Sequence, residues 1–441
     1  MKVAIVGTGY VGLPTAISFA EHGNDVTCID IDSEKVSKLN NGIPTIHEDG
    51  LESALRERLE AGNLCFTDDY QSGLVGAAAV FCAVGTPEKR DGSADMKYVY
   101  KVASDVGKII TGYTVFVNKS TVPVGTAKKV TEIIREVTDV EFDVVSNPEF
   151  MAEGRALEDV RRPSRIVIGT DSDRAHDVME ELYRPYVRGG RPIRFMNRES
   201  AELTKYGANG FLALKTSYYN ELASLATRLG ADIEDVRRAM GDDPRIGMVN
   251  TYVGPGWGGS CFPKDSQSLI YQSAEAGYDF KTMRAADEAN DIKMMEAPER
   301  VLDYFGGDIK GRKIALWGLA FKKGTDDMRV SPAVEILNKL IAEGAQVAAY
   351  DPAALENAKK AYQGNANVTF DTSKYGVLEE AEAVIIATDW EEFTNPDIGK
   401  MINKMKNAAI FDWRNLIDTE LISKYKVHYE SNGRPTIGTN G

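Results

Sequence analysis

Cysteine and histidine are scarce in this chain, four of each among 441 residues. Cys28, Cys65, Cys82 and Cys261 are scattered, with no C-x-x-C and no regular spacing. This excludes a disulfide framework and a cysteine zinc site, and points to a reducing cytoplasm. His22, His47, His176 and His428 lie far apart and form no ligand pattern, so no metal is expected. No run of about 18 or more apolar residues occurs, so no membrane-spanning helix is expected. The opening MKVAIVGTG reads as a strand, without the sections of a secretory signal. Positive charge is short as well. A formal net charge of −14 argues against nucleic acid or an anionic membrane as partner. It is compatible with a small anionic substrate held by a few local Lys and Arg residues.

What the chain has in quantity is alternation of strand and helix. KVAIVG (2–7), NDVTCIDID (24–32), VFCAVGTP (80–87), TVFVNKSTVP (114–123), FDVVSNPEF (142–150) and SRIVIGT (164–170) read as strands. Helical patterns at 11–22, 127–137 and 176–187 lie between them. Cys28 and Cys82 fall in strand-like runs as small apolar fillers, and Cys65 is expected to act likewise. From 199 to 230 a single helical pattern runs unbroken to Gly230, followed by helices over about 232–240, 264–276 and 281–305. GGDIKGRK (306–313) is a polar linker, after which alternation resumes with KIALWGLAF, SPAVEILNKLIAEG, QVAAYDP, AVIIAT and AAIFDW. The expected fold class is α/β: two Rossmann-like, doubly wound domains joined by a long central helix and helical section. Their expected bounds are 1–197, 198–305 and 306–441, with the helical section as the surface of a homodimer or higher homo-oligomer.

The two halves echo each other. Lys2 to Asp30 and Lys313 to Asp351 share strand, helix, glycine and strand-ending aspartate, but span 28 and 38 positions. The second copy carries an inserted loop, GLAFKKGTDD, in place of the glycine triplet, and is expected to bind something other than a dinucleotide. The polar tail HYESNGRPTIGTNG (428–441) carries no interpretable pattern and is expected to be disordered.

Gly7-Thr8-Gly9-Tyr10-Val11-Gly12 follows a strand and opens a helix. In that context Gly7 permits a tight turn, Gly9 lets a pyrophosphate approach the backbone, and Gly12 lets helix and strand pack closely. Asp30 closes the second strand 18 residues after Gly12. A carboxylate there accepts ribose hydroxyls and repels the 2′-phosphate of NADP, so NAD is the expected cofactor.

Three further stretches carry candidate chemistry. If NPEFMAEG (147–154) opens a helix at Pro148, Glu149 and Glu153 share a face, either as functional acids or as answers to the helix dipole. Lys205 and Asn209 are one turn apart on the long helix, where Lys205 is a functional ammonium or a solvated lysine. GPGWGGSCFPKD (254–265) sets Cys261 among residues that bend the backbone and let another molecule approach. A buried turn thiol and a reactive nucleophile both fit that loop alone.

GTGYVGLPTA, VGTP (84–87), KSTVPVGT (119–126), NPEFMAEG, ESAELTKYGANGF, GWGGSCFPKD and GLAFKKGTDDMR occur in order along most of the chain. As a set they resemble the nucleotide-sugar dehydrogenases, the UDP-glucose/GDP-mannose dehydrogenase family. The resemblance implies oxidation of a primary alcohol to a carboxylate in two hydride transfers, using two NAD and one essential cysteine. It also implies cofactor contacts at Gly7, Gly9, Tyr10, Val11, Gly12, Asp30, Lys35, Thr86, Thr121, Glu153, Lys264 and Arg329. Cys261 matches the nucleophile, Glu149 the acid/base and Lys205 the lysine over the reacting oxygen, with Asn209 and Asp265 as their polar partners. Phe150, Tyr252, Gly254, Gly256, Gly258, Phe262, Lys322 and Arg414 match substrate positions, together with Glu149, Lys205 and Asn209. Arg245 matches an arginine that reaches the neighbouring subunit's substrate. UDP-glucose is the expected sugar, with GDP-mannose or a UDP-N-acetylhexosamine as the alternative. A non-catalytic nucleotide-binding regulator would need none of Cys261, Lys205 and Glu149. A one-step hydroxyacid dehydrogenase would have no use for the cysteine.

Overall fold

The computed structural model describes residues 1–438, without the side chains of 188 and 189. The chain forms two compact units: 1–208 with 267–278, and 209–266 with 279 onward. The first is built on eight strands: β1 (Lys2–Val6), β2 (Asp25–Ile29), β3 (Leu64–Thr67), β4 (Ala79–Cys82), β5 (Thr114–Asn118), β6 (Phe142–Ser146), β7 (Ile166–Gly169) and β8 (Ile193–Met196). Their order is β3-β2-β1-β4-β5-β6-β7-β8. All neighbours are parallel except β6 and β7, which meet antiparallel at Ser146 and Gly169. The strands read as continuous apolar runs because both faces are covered. Val3 and Ile5 of β1 enter one core, and Ala4 and Val6 the other.

The second unit repeats the plan with β9 (Lys313–Trp317), β10 (Gln346–Tyr350), β11 (Val368–Phe370), β12 (Ala383–Ile386), β13 (Ala409–Asp412) and β14 (His428–Ser431). These form an all-parallel sheet in the order β11-β10-β9-β12-β13-β14. Ile314 and Leu316 face one core, and Ala315 and Trp317 the other. Between the sheets in sequence lie the helices Arg198–Leu229, Ile233–Gly241, Phe262–Glu275 and Lys281–Tyr304. Among the described residues no helix is long and apolar enough to cross a membrane.

Three expectations are corrected here. The C-terminal tail is not disordered: β14 pairs with β13, and Tyr429 bridges to Ile437. Its polar letters conceal a buried pair, His428 and Tyr429, whose tyrosine hydroxyl donates to Asp412 Oδ2 at 3.0 Å. Residues 439–441 of that tail lie outside the described residues. Several strands end earlier than read, because the chain turns to satisfy its own backbone. After Asn118, the N–H groups of Lys119 and Ser120 both donate to Cys82 O, at 2.9 and 3.0 Å. Cys65 is exposed, with its sulfur 3.5 Å from Thr27 Oγ1, and fills no core.

Candidate active site

In the first unit, the carboxyl ends of β1 and β4 border a cleft of about 770 Å³, lined by Gly7, Thr8, Gly9, Asp30, Lys35, Tyr70 and Tyr98 among others. This is where the strand order reverses direction, the place where open parallel sheets bind ligands. Gly7 has φ +98° and passes so close to Ala83 O that an added Cβ would lie 2.7 Å away. At Gly12 a Cβ would lie 1.9 Å from Gly7 O, so helix and strand need that glycine to pack. At Gly9 a Cβ would meet nothing within 4 Å. Its bare backbone faces open space, as a phosphate-binding turn requires. Tyr10 and Val11 complete the turn ahead of the helix Gly12–Glu21, whose positive end suits an anion.

Asp30 does more than the spacing predicts. Its Oδ2 accepts from Thr8 N (3.0 Å), Thr8 Oγ1 (2.6 Å) and Lys35 Nζ (3.3 Å), while Oδ1 accepts only Asp32 N at 3.2 Å. Burial opposes ionisation, but these donors outweigh it and hold the carboxyl below its ordinary value. Oδ1 retains acceptor capacity for a ribose hydroxyl. Thr8 is therefore a functional position that the glycine pattern alone passes over. Thr86 Oγ1 donates to Thr121 O at 2.9 Å, joining two of the expected cofactor residues. These residues fit a dinucleotide.

Asp351, at the same point of the second sheet, is spent internally. Its Oδ2 takes Leu319 N, Ala320 N and Trp390 Nε1, and its Oδ1 takes Ala353 N and Ala354 N. Gly318 keeps the turn conformation of Gly7 (φ +99°). The loop that follows is tied to the aspartate, so the cradle is closed to a second dinucleotide.

Glu149 is also in the first unit, but not on a helix. Residues 147–155 form a loop, and the next helix begins at Ala156. Glu149 and Glu153 therefore share no helical face. The donors at 154 and 156 go to Glu48, a carboxylate distant in sequence, at 2.8 and 3.0 Å. Glu149 bends back to accept Met151 N through Oε2 at 2.5 Å, and its Oε1 receives Lys205 Nζ at 2.6 Å. Both side chains are buried, 7% and 3% exposed. Burial raises the Glu149 carboxyl, but the Lys205 charge and hydrogen bond, the Met151 N–H and Lys119 together hold it below its ordinary value. Phe150 lies beneath Arg165, whose guanidinium is 3.7 Å from the ring centre, with Lys205 Nζ at 5.7 Å.

The loop carrying Cys261 belongs to the second unit, and polar groups pin it along its length. Asn220 Oδ1 accepts Gly254 N (2.9 Å), and Asn290 holds both N (2.7 Å) and O (3.0 Å) of Trp257. Ser217 Oγ accepts Trp257 Nε1 (2.9 Å), and Asn209 Nδ2 donates to Asp265 Oδ2 (2.6 Å). Asn209, Ser217 and Asn220 are buried and recur at helical spacing along one helix. That pattern was readable, since polar residues repeating on one face of a long helix call for partners. Cys261 precedes the helix Phe262–Glu275, its carbonyl accepting Asp265 N and its sulfur 3.6 Å from Ser260 Oγ.

The shape of this loop follows from its close contacts. Its glycines serve contact with the chain itself: a Cβ at Gly258 would lie 1.9 Å from Val330 O, at Gly259 2.7 Å from the Phe321 ring, at Gly256 2.7 Å from Met294 and at Gly254 2.7 Å from Arg414 Nη1. They set the loop's shape. The Lys264 ammonium lies on Asp265 Oδ1 at 2.5 Å, so its charge answers that carboxylate.

The other expected substrate positions of this unit are placed as follows. Arg414 is half-buried and donates to Ala387 O and Phe321 O. Lys322 Nζ is 5.4 Å from the Phe321 ring centre, and the Phe262 ring packs edge-on against Trp257. Tyr252 is exposed beneath Arg237, itself in a buried ion pair with Glu234. Arg329 is clamped by Asp327, and Arg245, almost fully exposed, by Asp243.

A glycine-turn cleft at the reversal of a parallel sheet, with an aspartate at the second strand, defines a dinucleotide-dependent dehydrogenase. Sequence profiles of one family match three successive segments: an NAD binding domain over 1–187, a central domain over 199–292 and a UDP binding domain over 315–419. The chain belongs to the UDP-glucose/GDP-mannose dehydrogenase family. It is 43% identical over 446 residues to a UDP-glucose 6-dehydrogenase of Pseudomonas aeruginosa, covering 99% of this chain and 98% of that one. A solved UDP-glucose dehydrogenase from Pyrobaculum islandicum superposes with a TM-score of 0.90 at 37% identity, over 97% of this chain and 96% of that one. A UDP-D-ManNAc dehydrogenase from Pyrococcus horikoshii gives 0.87 at 30%, over 98% and 99%. The chain is an NAD-dependent oxidoreductase of nucleotide sugars.

Proposed function

We propose that this enzyme oxidises the C6 alcohol of UDP-glucose to the carboxylate of UDP-glucuronate, in the cytoplasm, with Cys261 as nucleophile. The observation that carries the proposal is a thiol on a pinned loop together with a buried acid–lysine pair, since a one-step alcohol oxidation needs no thiol. NAD, when bound, would accept hydride from the sugar carbon, one molecule for each of the two oxidations. Lys205 favours the alkoxide as the alcohol gives up its proton to water, because a buried ammonium stabilises developing negative charge. Cys261 adds to the resulting aldehyde as a thiolate, forming a C–S bond and a thiohemiacetal. Loss of the second hydride leaves a thioester. Glu149, held as a carboxylate, takes a proton from the water that attacks the thioester, and the C–S bond breaks to release the acid and restore the thiol. Asn209 Nδ2 holds Asp265 Oδ2, and we assign both as polar partners of the reacting groups. We assign Arg414, Lys322 and the 252–258 loop to the UDP-sugar, within the functional division 1–197, 198–305 and 306–441.

The proposed assembly is a homodimer. Phe211, Tyr218, Leu225 and Leu229 are all exposed on the helix Arg198–Leu229, at spacings of seven, seven and four. An apolar stripe of that period on a long helix suits the same helix of a second copy. Arg245, held by Asp243 of its own loop, is assigned to the neighbouring subunit's substrate.

The test is NADH formation with UDP-glucose, GDP-mannose and UDP-N-acetylhexosamines. The highest kcat/KM should belong to UDP-glucose. A higher value for another sugar reassigns the substrate, and no NADH from any of them supports a binding protein.

A further inference from the structure

Lys119 closes the strand-end turn after β5 and is buried, 8% exposed. Among the described residues its ammonium has no carboxylate in hydrogen-bond reach. Nζ lies 3.1 Å from Asn147 Oδ1 and 3.3 Å from Tyr183 Oη. The tyrosine hydroxyl also donates to Asn147 Oδ1 at 2.5 Å, and Asn147 Nδ2 donates to Val167 O at 2.8 Å. Asn147 is two residues before Glu149, so this network underlies the acid–lysine pair. The charged groups that act on Lys119 are Glu149, which favours its charge, and Lys205, which opposes it. Tyr183 touches it as a neutral phenol, its proton held on by burial. Arg165 stands over Phe150 and feels Glu149 as well.

One buried carboxylate thus faces two buried lysines. A buried ammonium without a carboxylate of its own is costly, and a methionine-sized apolar side chain would be cheaper for the fold. The surplus positive charge lies beside the acid–lysine pair, to which the function proposed above assigns the forming anions: an alkoxide first, then the species formed by water at the thioester. We propose that Lys119 is a positioning residue of the acid–base centre, whose buried ammonium, held by Asn147 and Tyr183, keeps Glu149 ionised and favours those anions. The inference rests on the function proposed above. Burial brings the Lys119 ammonium down from its ordinary 10.5 to about 8, with Lys205 adding to the fall and Glu149 opposing it. A lysine shifted this way costs stability below its folded value, and the cost fades as pH rises toward the unfolded one.

The test compares Lys119→Met and Lys119→Arg with wild type in two measurements. In the first, Tm is followed from about pH 7 to about pH 10. Lys119→Met should melt higher than wild type at neutral pH, because Asn147 Oδ1 keeps the Tyr183 hydroxyl, and the difference should shrink toward alkaline pH. In the second, kcat for UDP-glucose oxidation is followed over the same range. Wild type should lose rate as Lys119 deprotonates near pH 8. Lys119→Met should be slower by about tenfold at neutral pH with KM nearly unchanged. Lys119→Arg should recover rate and move the alkaline fall upward. A Lys119→Met protein that melts lower at neutral pH, or keeps the wild-type rate and pH profile, overturns the proposal. Wild type without activity on UDP-glucose refutes the function instead, and the melting comparison still decides whether Lys119 is a strained charge.

Discussion

Lys205 Nζ and Glu149 Oε1 meet at 2.6 Å, with both side chains buried, although 56 residues separate them in sequence. A buried pair of this kind is weak evidence of stabilisation, because desolvation offsets much of the attraction. Its chemistry explains it better: the lysine keeps the acid ionised, and the acid keeps the lysine charged and aimed. Removing one partner takes from the other its closest opposite charge in a buried place.

Lys205→Met should therefore lower kcat by about 10²–10³ while changing substrate affinity far less. It should also destabilise the fold by about 3–5 kcal/mol. The carboxyl of Glu149 is held below its ordinary 4.5, so the pair's contribution is present above that pH and is lost as pH falls through the lower folded value. Melting curves of wild type and Glu149→Gln should accordingly converge in acid. Parallel curves down to about pH 3 would contradict the pair's role.

The glycines of the two loops should separate by readout. Gly9→Ala places a methyl in open space and should leave Tm unchanged while weakening NAD binding. Gly258→Ala drives a methyl against Val330 O and should lower stability by about 1–3 kcal/mol or more. Calorimetric titration of NAD beside thermal melting checks both. A Gly9→Ala protein with normal NAD affinity would remove that turn from the cofactor site.

How much of this was legible in the sequence depends on how local each cause is. The cradle at Gly7–Gly12 and Asp30 was readable, because strand, turn and helix are contiguous and the acid lies a fixed distance on. Two kinds of feature were not. NPEFMAEG has the letters of a helix start, yet Glu48, about a hundred residues earlier, takes the donors and delays the helix to Ala156. The polar tail becomes β14 because partners absent from its own sequence take it up: β13 pairs with its backbone and Asp412 accepts the Tyr429 hydroxyl. The Lys119 network is likewise invisible to spacing, since its members come from the turn after β5, the loop after β6 and the helix Asp173–Tyr183.

Cofactor choice follows from Asp30. Wild type should prefer NAD over NADP in kcat/KM, and Asp30→Ala should narrow the gap by removing the carboxylate that repels a 2′-phosphate. Thr8→Val should weaken NAD binding too, by releasing Asp30 Oδ2 from the Thr8 hydroxyl at 2.6 Å. Equal wild-type values for the two cofactors would contradict this role for Asp30.

The apolar stripe on the long helix makes a separate prediction. Leu225→Glu, at an exposed position, should leave the monomer folded and shift the light-scattering mass from dimer to monomer. Mixing inactive Arg245→Ala with inactive Cys261→Ala chains should restore some activity in heterodimers. No recovery after confirmed exchange would place Arg245 outside the neighbour's site.

The role of Cys261 is open to direct trapping. Cys261→Ser keeps a nucleophile but makes an alkoxide leaving group, poorer than a thiolate, so a sugar ester should accumulate on the protein. Intact mass after incubation with NAD and UDP-glucose should show the adduct on Cys261→Ser and none on Cys261→Ala. Wild-type turnover by Cys261→Ala would make the thiol structural.

The central claim is a four-electron oxidation completed on one protein through its own thiol. The most direct measurement counts NADH formed per UDP-glucose consumed by wild type, with the sugar product identified by mass spectrometry. Two NADH per sugar and UDP-glucuronate as product are expected. One NADH per sugar, with the aldehyde released, would contradict it.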